Sequence, residues 1–321
     1  MKNYNSIDIG KFVACIGIIA IHANPIYASY HIADSVVAFM ASLCVPFFFC
    51  VSSFLFFSKL AMTETPYSLL WKFVKRILIL YIVWLLIQTT FIPAKNQDIY
   101  TITFPLKMLF SSTFSGSWFY AALIVSTSIV FFFRKRMGGL IFVGITSYSI
   151  FCLGHIGIGA LGVIYNWYHM YLGEMFLSWP YALVWTTLGY CMTKNKAVYY
   201  ILWMIMSLVV LDILLYLFGI AGLHGKGMMS WNVRFTVVAF LCYICCNFDA
   251  KSRLPYKWMR NMSTLIFMIH FYFVYLLSDC GYLLGFLSLK FVYVVFLTLI
   301  TASVILYISK NKKISFLKYL Y

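Results

Sequence analysis

The stretch IDIGKFVACIGIIAIHANP, residues 7–25, has the length and apolarity of a membrane span, yet it carries Asp8, Lys11 and His22. About 20 mainly apolar residues cross the hydrocarbon core of a bilayer. An ionisable group at bilayer depth costs about 2.5–3.5 kcal/mol on insertion scales, and such groups usually face a bundle interior or a wet cavity. Lys11 and His22 are eleven residues apart, which in a helix is three turns plus about 20°. They therefore share a face, about 16 Å apart along the axis. Asp8 lies about 40° beyond His22 on the same side of that stripe and one turn below Lys11. The helix thus carries a polar line from one end towards the other. Each member also has a bland reading. Lys11 can snorkel to headgroups, and His22, followed by Asn24 and Pro25, can end a helix at the interface.

Working outward, the whole chain repeats the apolar character of that stretch. It has 321 residues, 64% hydrophobic and 10% charged, against about 45–50% and about 25% in a soluble domain. The expected class is an all-α, polytopic membrane protein. A net charge of +16 raises nucleic acid as a partner. The basic residues lie in short clusters between apolar runs, however, with no basic stripe on a soluble fold, so the charge reads as topology and not as nucleic-acid binding. No cleavable signal peptide is expected, because the leading segment carries an acid and lacks a small-residue cleavage pattern after His22. Most of the nine cysteines lie inside apolar segments and read as buried thiols. Cys242 and Cys245 form a lone Cys-x-x-Cys with no second pair, so no metal is expected.

Ten spans are predicted, at 8–27, 34–57, 73–94, 117–133, 139–158, 176–193, 198–220, 231–248, 262–279 and 287–309. Residues 153–173 are apolar but rich in Gly and aromatics, compatible with a re-entrant or interfacial segment as well as with a loop. With the N-terminus inside, nineteen Lys and Arg fall on the cytoplasmic side. Only Lys95, Lys107, Lys226, Arg234 and Lys290 fall outside. That asymmetry supports an even number of spans with both termini cytoplasmic. With no linker and no visible repeat, residues 1–321 read as one membrane domain.

Several stretches together resemble the acyltransferase-3 family of membrane O-acyltransferases. Lys11-x10-His22 resembles the family's Arg/Lys-x10-His motif in its first span. Val45-Pro46-Phe47-Phe48-Phe49 with Val51-Ser52-Ser53-Phe54 resembles its second-span VPxFFxxSG run, with Ser53 in place of Gly. WKFVKRILILY, residues 71–81, resembles the basic entry to its third span. Ser117-Trp118-Phe119 resembles its LWFL signature, with Tyr120 in place of Leu. Ser263 to His270, STLIFMIH, resembles its late S-x-x-I-Y-x-x-H run. The family's third-span Arg-x-x-Arg is altered: with Arg76 as the second Arg, the first falls on Phe73. Lys72 and Lys75 keep the charge but not the bidentate fork.

The resemblance implies a multi-pass protein of the bacterial cytoplasmic membrane. It would move an acyl group, acetyl by preference, from cytoplasmic acyl-CoA to a hydroxyl of a cell-surface or lipid-linked glycan. His22 is the expected base or acyl carrier, since a neutral imidazole serves either role near pH 7. Lys11 is its catalytic partner on the same face. Lys72, Lys75 and Arg76 are the expected donor-binding cations. Ser117, Trp118, Phe119, His270 and Glu174 are the candidates for a substrate pocket. The bland readings are loop orientation for Lys72 and Lys75, an interfacial anchor for Trp118, helix packing for His270 and a loop carboxylate for Glu174. Asp212, inside an apolar run, is expected to face a helix or cavity. His155, His169 and His224 are expected near outer segment ends. The competing function is a transporter or flippase for a small polar solute or glycan precursor, since a wet bundle with Lys, His and Asp can also move a solute or a proton. An inverted repeat would favour it, and none is visible.

Overall fold

The computed structural model describes residues 4–23, 31–91, 103–110, 116–154, 159–217, 228–251, 253–279 and 287–321. Among the described residues the chain is all-helical, with no strand. The elements in order are α1 (Asn5–Ala23), α2 (His31–Ser42), α3 (Cys44–Leu60), α4 (Pro66–Phe91), α5 (Phe104–Phe110), α6 (Trp118–Phe133), α7 (Met137–Gly154) and α8 (Gly159–Leu172). A 3-10 turn (Met175–Leu177) leads into α9 (Trp179–Cys191), α10 (Ala197–Leu217), α11 (Met228–Asn247), α12 (Tyr256–Asp279) and α13 (Leu287–Ile308). A 3-10 segment (Lys312–Leu320) follows. Helices are the expected outcome, because in lipid every backbone N–H and C=O must be satisfied within its own segment.

Five helical stretches are long and apolar enough to cross a membrane by themselves: Asn5–Ala23, Val36–Leu60, Met137–Gly154, Ala197–Leu214 and Leu289–Ile308. The chain is a membrane protein on this ground. Trp118–Phe133 and Asn232–Asn247 are apolar but shorter. The run predicted at 34–57 is divided between α2 and α3 at Leu43. Pro46 explains the break: it has no N–H to give the Ser42 carbonyl four residues back, and its ring crowds that carbonyl.

The centre of the bundle is α9, whose residues from Pro180 to Cys191 are all buried. It packs against α3, α6 and α7. Close approach needs small residues, and Gly189 supplies one, since a Cβ there would run into the Cys50 carbonyl. Beside it the Ser53 hydroxyl donates to the Thr186 carbonyl at 2.6 Å. By contrast α10 and α13 turn broad apolar faces outward, with Trp203, Leu214, Phe296 and Tyr307 exposed, as lipid-facing helices do.

The pair that positions the site is α1 with α12. Asp8 faces Arg260, the Cys15 thiol donates to the Ser263 carbonyl at 3.1 Å, and the His22 ring faces His270. Rising numbers meet rising numbers, so the two helices run parallel. The same end of the bundle collects further helix ends. The Asn5 N–H donates to Asp249 and the Ser6 hydroxyl to the Phe248 carbonyl, which ties the start of α1 to the end of α11. The Tyr190 hydroxyl donates to the Arg134 carbonyl at 2.8 Å, tying the end of α9 to the end of α6.

Candidate active site

α1 holds its polar line against α12 at three levels. At the first, Arg260 grips Asp8 with two parallel bonds, Nε to Oδ1 at 2.9 Å and Nη2 to Oδ2 at 2.6 Å. The fork geometry makes this among the stronger ion-pair types. The Asp8 side chain is 4% exposed and that of Arg260 52%, so the carboxylate is the member shut away from solvent. Lys11, one turn on, lies within electrostatic reach of Asp8, Arg260 and Arg76. The basic end of α1 is thus held by α12 through Arg260, with Lys11 one turn further along the helix.

Arg76 also lines a cavity of about 320 Å³ with Lys72 and Lys75 on α4. The three donor-binding cations expected from sequence are thus brought to one cavity, and the reach from Arg76 to Lys11 links it to α1. Lys318, Tyr319 and Tyr321 of the last segment line the same cavity.

At the opposite end of the pair, the His22 ring centroid is 5.4 Å from that of His270 and 4.6 Å from Phe271, while His270 and Phe271 are 4.1 Å apart. His22 is exposed and His270 fully buried. The His270 Nδ1 lies 3.0 Å from the Ile266 carbonyl. A carbonyl only accepts, so Nδ1 carries the proton and Nε2 keeps a bare lone pair. Nε2 is buried and has no hydrogen-bond partner among the described residues. A buried acceptor left unmatched is costly and calls for an explanation.

Gly116, Ser117, Trp118 and Phe119 approach the same end. Gly116 has φ +82°, a left-handed conformation that suits glycine. A Cβ there would lie 2.6 Å from the Phe271 ring, so only glycine lets this turn close on the residue that covers the imidazoles. Ser117 and Trp118 are buried, and Trp118 packs on Phe49 and Phe176 at 5.9 and 6.4 Å. Phe119 packs on Phe267 at 5.2 Å and Phe48 at 6.3 Å, and Phe48 meets Phe267 at 5.9 Å. Phe267 is one turn before His270 on α12 and one turn beyond Ser263. The three rings thus form an apolar layer between the level of Cys15 and the level of the imidazoles.

Glu174 stands apart. Its carboxylate meets the exposed His169 Nε2 at 2.7 Å, between α8 and the 3-10 turn. Phe176, two residues beyond Glu174, touches Trp118 at 6.4 Å. Asp212 accepts a hydrogen bond from the Asn232 side chain and so joins α10 to α11. His155 and His224 lie outside the described residues.

One residue escaped the sequence reading. Arg260 counted there only as a topological charge, yet it is the clamp on Asp8. Nothing in the local pattern marks it, because its partner is 252 residues away. No group of three or more metal-ligating side chains is found among the described residues.

No curated protein and no solved structure matches the chain. A family model does, described as an acyltransferase domain, and it spans residues 4–310. Nearly the whole helical bundle, from the start of α1 past the end of α13, is therefore covered, and the chain belongs to the acyltransferase-3 family.

Proposed function

We propose that the protein is an O-acyltransferase of the bacterial cytoplasmic membrane. It takes an acyl group, acetyl by preference, from acyl-CoA at the basic, cytoplasmic end and delivers it to a hydroxyl of a cell-surface or lipid-linked glycan at the other. The observation that carries this reading is the parallel α1–α12 pair. It sets His22 beside His270 at one end and Lys11 near Arg76 and the three-cation cavity at the other.

In the proposed step, His22 takes the proton of the acceptor hydroxyl as its oxygen attacks the thioester carbonyl. The tetrahedral intermediate collapses with loss of the CoA thiolate, which leaves as the thiol after taking up that proton. In the covalent variant His22 itself carries the acyl group, and the acceptor oxygen then displaces the imidazole. His270, with Nδ1–H held by Ile266, offers Nε2 as an acceptor to the His22 ring through one water. That bond would fix which His22 nitrogen carries the proton. Phe48, Phe119 and Phe267 give the reacting end an apolar wall on the side facing Cys15.

The test uses the protein in nanodiscs with labelled acetyl-CoA. The expected result is thioester turnover by wild type and its loss in His22→Ala, with melting temperature nearly unchanged because His22 is exposed and its removal opens no core cavity. Unchanged turnover in His22→Ala would remove that residue from the reaction. A wild type that moves solute but never cleaves the thioester would replace the transferase by the transporter.

A further inference from the structure

The cavity at the basic end has a second wall that neither the motifs nor the family match assigns to a role. Beyond α13 the chain folds back onto α4 as the 3-10 segment Lys312–Leu320. It is pinned there. The Trp84 indole N–H donates to the Leu320 carbonyl at 3.1 Å, and the Tyr321 and Ser309 hydroxyls are 2.9 Å apart. Leu320 itself is buried. The pinning brings Lys318, Tyr319 and Tyr321 to the cavity that Lys72, Lys75 and Arg76 line from α4.

Four exposed cations and two phenol rings thus border an open depression of about 320 Å³, and no lining residue is acidic. Like charges gathered at one cavity repel, and the repulsion is not small near a protein surface. Lys72, Lys75 and Arg76 are together because they are near neighbours on α4, and the fold-back of the last segment adds Lys318 to them. An anion relieves the repulsion, and several phosphates relieve it more than one. The rings add a flat apolar surface on which a base can stack. Cations for phosphates with an aromatic face for a base describe a nucleotide, not a simple acyl phosphate or a fatty-acyl lipid.

We propose that the Lys312–Leu320 segment is the second wall of the donor site, with Lys318 binding a phosphate and Tyr319 stacking on the base of a nucleotide thioester. This rests on the donor reading given above for Lys72, Lys75 and Arg76. It adds two residues to that site. Lys318 and Tyr319 are both exposed, so replacing them opens no core cavity.

The experiment measures binding of adenosine 3′,5′-bisphosphate, pyrophosphate and pantetheine to the full chain in nanodiscs by calorimetry. Loss of one charge-assisted hydrogen bond is worth about tenfold in affinity. Lys318→Ala should therefore weaken the bisphosphate and pyrophosphate about that much and leave pantetheine unchanged. Tyr319→Ala should weaken the bisphosphate alone, and Tyr319→Phe should bind as wild type because the ring acts and the hydroxyl does not. Wild-type affinity for the bisphosphate in both alanine variants would overturn the second wall while leaving the donor reading intact. Failure of the wild type to bind the bisphosphate would instead overturn the donor reading itself. A Lys318 effect with none from Tyr319 would make the site a plain phosphate site and overturn its nucleotide character.

Discussion

The two ends of the α1–α12 pair hold the same number of polar partners and use them in opposite ways. At the basic end Asp8 and Arg260 satisfy each other through two hydrogen bonds. At the far end His270 spends one nitrogen on its own helix and leaves the other, fully buried, with no partner among the described residues. The first arrangement is closed, and nothing further is needed to stabilise it. The second is open, and sits beside an imidazole that is itself exposed. Both lie within helices of a membrane protein, so the presence of an ionisable group does not separate site from scaffold. Within this helix pair the two ends differ in whether the hydrogen-bonding capacity of those groups is used up.

The sharpest way to break this contrast is at the open end. His22→Ala should lower thioester turnover by about 10²–10⁴, the span expected for losing a general base. Single-turnover measurement in nanodiscs checks it, and a drop of less than fivefold would place His22 with the scaffold.

The next effect is at the closed end and concerns stability. Removing one partner of a buried ion pair costs about 3–5 kcal/mol when the other is stranded. Here the strandable partner is Asp8, because Arg260 already reaches solvent. Arg260→Ala should therefore cost about 3 kcal/mol, and Asp8→Ala only about 1 kcal/mol, the net worth of ordinary hydrogen bonds. The double variant should recover much of the larger loss. Unfolding by denaturant in detergent reads all three, and equal losses from the two single variants would contradict the asymmetry.

A smaller effect is expected at His270. His270→Phe keeps the ring's bulk but removes both nitrogens. Turnover should fall about tenfold, the low end for an orienting partner, with acceptor and donor KM little changed and the pH–rate profile of the remaining activity displaced. An unaltered profile would return His270 to helix packing.

The sequence displayed more of this than its lack of soluble-type patterning suggests. The all-helical class and the Lys11–His22 stripe follow from composition and local spacing, whereas α5 and α8 fall outside the ten predicted spans. The Lys11–His22 face is the one that meets α12, and the grouping of Lys72, Lys75 and Arg76 follows from their adjacency. What the sequence hid depends on chain crossings. Arg260 was indistinguishable from other loop cations because Asp8 sits at the opposite end of the chain. Lys318 vanished among the lysines after α13, since nothing local says that the segment turns back to Trp84. The kink at Leu43 was legible from Pro46 and passed over because the apolar run continues through it. The central place of α9 left no trace in periodicity, because a helix buried all round has no polar face to report.

Lys11 tests the comparison most finely, for it belongs to the stripe of His22 but to the neighbourhood of the closed pair. If it served only to balance Asp8, its loss would resemble that of Arg260 and appear as instability. Arg260 already supplies both hydrogen bonds to that carboxylate, however, and the nearness of Arg76 ties Lys11 to the cation cavity. Lys11→Ala should therefore leave the melting temperature within a degree or two and raise donor KM by about fivefold, the loss of one charged contact partly replaced by water. The maximal rate should be kept, as expected when the lost contact binds substrate and transition state alike. Lys11→Arg should recover most of the affinity, and the difference from wild type should shrink as salt is raised. A loss of melting temperature without a change in KM would move Lys11 from the open set to the closed one and leave the stripe on α1 with a single reacting member.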